Sequence, residues 1–180
     1  MLQINVPATE LYDEATDEFK ITKSQILVLQ HSLVSVSKWE SMWKKPFLTR
    51  EKKTIPETVD YIRCMTITQN VDPIVYNCIT NEMVDQVSKY IENSMTATTF
   101  SKDTNLPTSR EIVTSEIIYY WMIERNIPFE CEKWHLNRLL TLINVCSIKS
   151  KPTKKMGKKA LTERNRNLNA ARRAALNTSG

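Results

Sequence analysis

The first 156 residues of this 180-residue chain contain no glycine, and Gly157 and Gly180 are the only two it has. A backbone without glycine must turn through Asn, Asp or Pro, or through residues held in strained conformations. Loops that cradle phosphate need glycines so that backbone N–H groups can approach the phosphate oxygens. The sharp G-x-S-x-G elbow that presents a nucleophilic serine needs them as well. Neither can be built here, which removes the common nucleotide-binding and serine-hydrolase architectures.

What remains suits one domain with an appendage. Hydrophobic residues make up 41% of the chain and charged residues 25%, enough for a core and a wet surface. The charge is unevenly placed. Residues 149–180 hold ten Lys and Arg against one acid, Glu163, a net charge of +9, whereas the preceding 148 residues sum to −4. The chain therefore divides into a predicted mainly helical domain over 1–148, a flexible basic linker over 149–159 with Pro152, Gly157 and six lysines, and a basic C-terminal helix or tail over 160–180. The last segment, ALTERNRNLNAARRAALN, favours helix by composition. Its stripe of Leu161, Leu168, Ala171, Ala175 and Leu176 is thin, so the helix is expected to need a partner. A tail with this charge fits an acidic or polyanionic partner.

No apolar run approaches the roughly 18 residues of a membrane span, and the acidic start MLQINVPATELYDEATDEF lacks the basic and apolar regions of a secretory signal. A cytosolic protein without membrane contact is expected. Cys64, Cys78, Cys131 and Cys146 lie 14, 53 and 15 residues apart, which is no metal-binding or disulfide-scaffold spacing. They read as free, buried thiols.

Period-two alternation in Leu2, Ile4, Val6 and in Phe19, Ile21 predicts strands around an acidic loop, with a third strand in QILVLQ at 25–30. The spacing of Leu33, Val36, Trp39 and Trp43 predicts a helix over 32–45 that stops before Pro46. Further helices are expected after Pro56, from Asn81 to Ser94 behind a Thr80 cap, and from the T-x-x-E capping box of Thr108 and Glu111 through EIVTSEIIYYWMIERN. The polar stretch TATTFSKDTNLP reads as a loop or short edge strand. The helix through Ile117–Ile123 is apolar nearly all round, which places it at the centre of a bundle. A further helix from Cys131 to Ser147 should be its antiparallel neighbour. The fold class is mainly α: a helical bundle with a small N-terminal β element and a basic tail helix.

Candidate chemistry is sparse. Cys131 and His135 would share a helical face, as a thiolate–imidazole pair or half a zinc site does. The only other histidine is His31, so the ligand set is incomplete, and no metal and no cofactor is expected. Glu130 and Glu132 read as charges favourable near a helix N-terminus. Trp39 and Trp43 sit four apart beside Lys38, Lys44 and Lys45, either as a partner surface or as a satellite core. The basic tail supplies the other candidate partner-binding residues: Lys158, Lys159, Arg164, Arg166, Leu168, Arg172 and Arg173. A chain with these features reads as a binding protein and not as an enzyme.

The stretches KWESMWKKPF, SEIIYYWMIERNIPFECEKWHLNRLLTLINVC and RNRNLNAARRAALN resemble small proteins of tailed phages, in particular the tail assembly chaperones of long-tailed phages. The resemblance runs from about Gln30 to the C-terminus and carries no catalytic signature. It implies a protein that keeps the apolar tape measure protein soluble in the host cytoplasm while the tail tube assembles, of a kind often made in two lengths. The alternatives are a structural virion component, such as a head–tail connector or tail completion protein in a closed homo-oligomer, or a nucleic-acid-binding protein that uses the basic tail.

Overall fold

The computed structural model describes residues 1–13, 17–100, 112–150 and 157–176. The chain is mainly helical with a small antiparallel β element at its N-terminus. β1 (Leu2–Val6) pairs with β4 (Gln25–Leu29) in the register Ile4↔Leu27, so the alternating Ile4, Val6, Leu27 and Leu29 all face the core. Between them β2 (Glu10–Asp13) and β3 (Glu18–Ile21) form a separate hairpin with Tyr12 opposite Phe19. The acidic segment expected as a loop thus contributes a strand of its own. The far edge of β4 is occupied by the chain leaving the second helix, through Ile67 N–H to the Val28 carbonyl and Gln30 N–H to the Met65 carbonyl, both 2.9 Å.

Helix α1 (Leu33–Trp43) starts at Ser32, whose hydroxyl accepts from Ser35 N–H while the Ser35 hydroxyl accepts from Ser32 N–H. Helix α2 (Ile55–Met65) starts with the same reciprocal arrangement between Thr54 and Glu57, with Pro56 in its first turn. A 3₁₀ segment at Pro73–Cys78, which carries no sequence periodicity to announce it, leads to α3 (Asn81–Glu92), capped by Thr80 as expected. Glycine is replaced at the turns by Asp17, Lys44, Asn70, Met95 and Asn126, all in the left-handed region. Lys44 in this conformation ends α1, its N–H donating to the Glu40 carbonyl at 2.8 Å.

Four expectations are corrected in the second half of the body. Helix α4 (Ser115–Glu124) begins later than the predicted capping box, which lies outside the described residues together with most of TATTFSKDTNLP. Ile112–Thr114 are not helical, and the first turn is held instead by Glu40, whose carboxylate accepts Ser115 N–H at 2.8 Å. Nor is α4 central. Ile118 and Met122 are fully buried, while Tyr120 and Ile123 are 60% exposed, because α4 lays one face on α1 and leaves the other open. The third correction concerns the helix expected from Cys131. Phe129–Lys133 is a 3₁₀ turn, and α5 (Leu136–Ser150) starts only after His135. His135 forms an isolated antiparallel bridge with Ser32, and this extended backbone interrupts any helix through it. The backbone of α4 lies closest to α1, and α5 is not its principal neighbour.

By compactness the chain forms two units, Met1–Ser147 and Ile148–Gly180. Helix α5 runs on to Ser150, and α6 (Lys158–Leu176) begins at Lys158, so both ends of the expected 149–159 linker are helical. Among the described residues no helix is long and apolar enough to cross a membrane.

Candidate interaction surfaces

The chemistry-bearing residues of the body converge on one buried cluster. His31 follows β4, and its Nδ1 shares a hydrogen bond with the Tyr61 hydroxyl, which also lies 3.3 Å from the Ser35 hydroxyl. The His135 ring stands edge-on to the His31 ring with centroids 5.0 Å apart, and its Nε2 lies 3.0 Å from the Tyr90 carbonyl. A carbonyl only accepts, so Nε2 carries the proton and Nδ1 of a neutral ring presents a lone pair; that buried atom has no hydrogen-bond partner. Burial, then the neighbouring His135, pushes the His31 pKa down to about 3. Burial also lowers that of His135, against the opposing pull of the Tyr90 carbonyl. Burial thus favours the neutral form of both rings, and both are enclosed in the core.

Cys131 and His135 do not form the pair that their spacing suggested. Cys131 sits in the 3₁₀ turn with its thiol pushed up by burial, and the His135 ring is committed to Tyr90. Among the described residues no group of three His, Cys, Asp or Glu side chains is placed to hold a metal. All four cysteines are free thiols; Cys78 and Cys131 are buried, Cys64 and Cys146 half-buried. The meeting of His31 with His135 is absent from the sequence reading, since local spacing carries no signal for a contact between β4 and the start of α5.

Trp39 is corrected from the partner-surface reading to the core. It is 1% exposed, donates Nε1–H to the Glu57 carbonyl at 2.8 Å and packs edge-on against Phe47. Trp43 is half-buried and stacks beside it at 6.2 Å. Lys38, Lys44 and Lys45 are exposed around this pair. Lys45 Nζ lies 2.7 Å from the Glu57 carboxylate, and this contact, with Thr54 N–H, holds Glu57 down at about 2. Lys53 lies over the Phe47 ring at 4.0 Å and donates to the Phe47 carbonyl, with its ammonium pKa lowered by burial. The connection between α1 and α2 therefore carries Lys44, Lys45, Arg50, Lys52 and Lys53 against Glu51, a basic surface larger than the three lysines singled out by sequence.

Helix α6 holds the remaining candidates. Lys158, Lys159, Arg164, Arg166, Leu168, Arg172 and Arg173 are all exposed. Leu161, Leu168 and Ala175 recur every seven residues and fall on one stripe, which Arg172 borders, while Arg166 and Arg173 lie well around the helix. The helix carries six bases and one acid. A narrow apolar seam with a basic surround is suited to docking.

The chain matches no protein-family model, no curated protein and no solved structure.

Proposed function

We propose that this chain is a non-enzymatic tail assembly chaperone of a long-tailed phage, which binds the tape measure protein in the host cytoplasm through α6. The observation that carries the docking role is the exposed apolar seam of α6, Leu161, Leu168 and Ala175 at seven-residue spacing, within a strongly basic helix. The phage assignment is supported by the resemblance of the stretches around Trp39, α4–α5 and α6. A tape measure protein is long and apolar, and a protein that keeps it soluble must offer apolar contacts inside a charged exterior. Burial of both imidazoles and of Cys131 also favours binding over catalysis.

The test is capture from infected cells. Tagged full-length chain and a 1–150 truncation that keeps α5 whole are used in parallel, with mass spectrometry of the captured proteins and of purified virions. The expected result is enrichment of the tape measure protein by the full chain, its loss with the truncation, and no copies of this chain in virions. Stoichiometric copies in the particle, with connector or tube proteins captured instead, overturn the chaperone reading in favour of a structural component. Capture that disappears on nuclease treatment overturns it in favour of nucleic-acid binding.

A further inference from the structure

The β2–β3 hairpin presents an apolar face that nothing on its own sheet covers. Tyr12 pairs across the strands with Phe19, and Glu10 with Ile21, which places these four side chains on one face of the ribbon. Tyr12 is 51% exposed, Phe19 71% and Ile21 72%. The two rings lie 5.3 Å apart and tilted, so they form one continuous aromatic surface. A two-stranded ribbon is at best marginally stable by itself and gains from a third layer. Acids bracket the strip: Glu10 is exposed beside Ile21, and Asp17, also exposed, holds the Tyr12 hydroxyl near the turn. The segment 10–20 carries five acids and one lysine. The apolar strip is therefore flanked by two placed acids, Glu10 beside Ile21 and Asp17 near the turn.

The complementary surface is on the same sequence. In α6, Leu161 and Leu168 form an apolar seam, bracketed by Lys158 one turn before and Arg172 one turn after. Apolar side chains meet apolar side chains, and the flanking charges are opposite in sign. Arginine and lysine also bind favourably over Tyr and Phe rings.

We propose that α6 of one copy docks on the β2–β3 hairpin of a second copy, so that the chain associates with itself through Tyr12, Phe19 and Ile21 on one side and Leu161 and Leu168 on the other. The charges steer the encounter and fix its orientation, and the aromatic strip supplies the buried contact. This inference stands apart from the phage assignment. If both hold, the tape measure protein competes with a second copy for α6, and the association keeps that helix covered until the client arrives.

The test needs the full chain and charge exchange. Sedimentation of the wild type at low salt, over a concentration series, is expected to show association that salt weakens, since at physiological ionic strength the attraction between exposed charges is largely screened beyond roughly 8 Å, and low salt extends that reach. One variant combines Glu10→Lys with Asp17→Lys; the other combines Lys158→Glu with Arg172→Glu. Each variant alone is expected to sediment as a monomer with the circular dichroism spectrum of the wild type. Mixed in equal amounts they are expected to associate again, because each basic surface then meets an acidic one on the other chain. A wild type that stays monomeric at low salt overturns the proposal without any variant. Folded variants that remain apart on mixing overturn it too, as expected if α6 docked only within its own chain. The tape measure capture is a separate readout, so self-association and client binding can fail independently.

Discussion

His31 and His135 meet edge to face in the interior, one following β4 and the other preceding α5, with ring centroids 5.0 Å apart. Their hydrogen-bond partners are a tyrosine hydroxyl and a backbone carbonyl, so a proton on either ring places an uncompensated charge beside the other ring. The sign of the pH dependence follows. The folded pKa of His31, about 3, lies below the unfolded value of about 6.5, and between these values the unfolded chain binds the proton more readily. Stability is complete above about pH 6.5 and falls as pH drops towards 3, with a loss of about 2 kcal/mol by pH 5 from His31 alone. Thermal unfolding at pH 7.5, 6 and 5 should show a steady fall in Tm. A Tm that does not move over this range contradicts the buried pair.

A carboxylate organises the other end of the core. Glu40, on α1, accepts Phe47 N–H at 2.7 Å with one oxygen and Ser115 N–H at 2.8 Å with the other. It thereby ties the turn after α1 to the start of α4, whose own N-cap residue, Thr114, makes no side-chain cap bond. Glu40→Ala leaves two buried donors unpaired and should destabilise the fold by roughly 2–4 kcal/mol. Glu40→Gln keeps one carbonyl acceptor but turns an amide N–H₂ towards the second donor, so its loss should be smaller. Denaturant unfolding of the two variants checks the order; equal and small losses exclude the bridging role.

These two contacts mark where the sequence stops being legible. Local signals were sufficient for β1, β4, α1, α2 and α3, because each has a period or a cap encoded within a few residues: Ile4 and Val6 alternate, Pro56 follows Thr54, and Thr80 precedes Asn81. The start of α4 and the interruption before α5 were not legible. Both are set by distant partners, Glu40 in one case and Ser32 in the other. The all-apolar appearance of Ile117–Ile123 was misleading for a related reason: composition fixes that a helix can be buried, but the number of neighbours that reach it decides how much of it is. For the candidate surfaces, the charge of α6 is plain in the sequence, whereas the exposure of Tyr12, Phe19 and Ile21 depends on β2 and β3 pairing apart from β1 and β4.

The tryptophan pair separates core from surface by mutation. Trp39 is enclosed and its indole N–H is used, so Trp39→Ala should cost about 3–5 kcal/mol, and Trp39→Phe less. Trp43 is half-buried, and its buried indole N–H has no hydrogen-bond partner, so Trp43→Phe removes an unsatisfied donor along with some packing. Its effect should lie within about 1 kcal/mol of zero. Denaturant midpoints for the three variants check this. A Trp39→Ala protein as stable as the wild type would return Trp39 to the surface.

Stability and binding should come apart at α6. Its described side chains are exposed, so they take no part in the buried core that includes Ile62, Met65 and Leu136. Removing residues 151–180 should therefore leave the unfolding free energy of the body within about 0.5 kcal/mol of the intact chain. Leu168→Asp should do the same, while destroying the apolar seam and placing an acid where an apolar partner must sit. Capture of the client and self-association should then both fail in a chain that melts normally. Arg166→Ala and Arg173→Ala, which lie away from the seam, should weaken both only through charge, with a deficit that shrinks as salt is raised. If Leu168→Asp retains full capture, the seam is not the contact surface, and the basic charge of α6 acts without it.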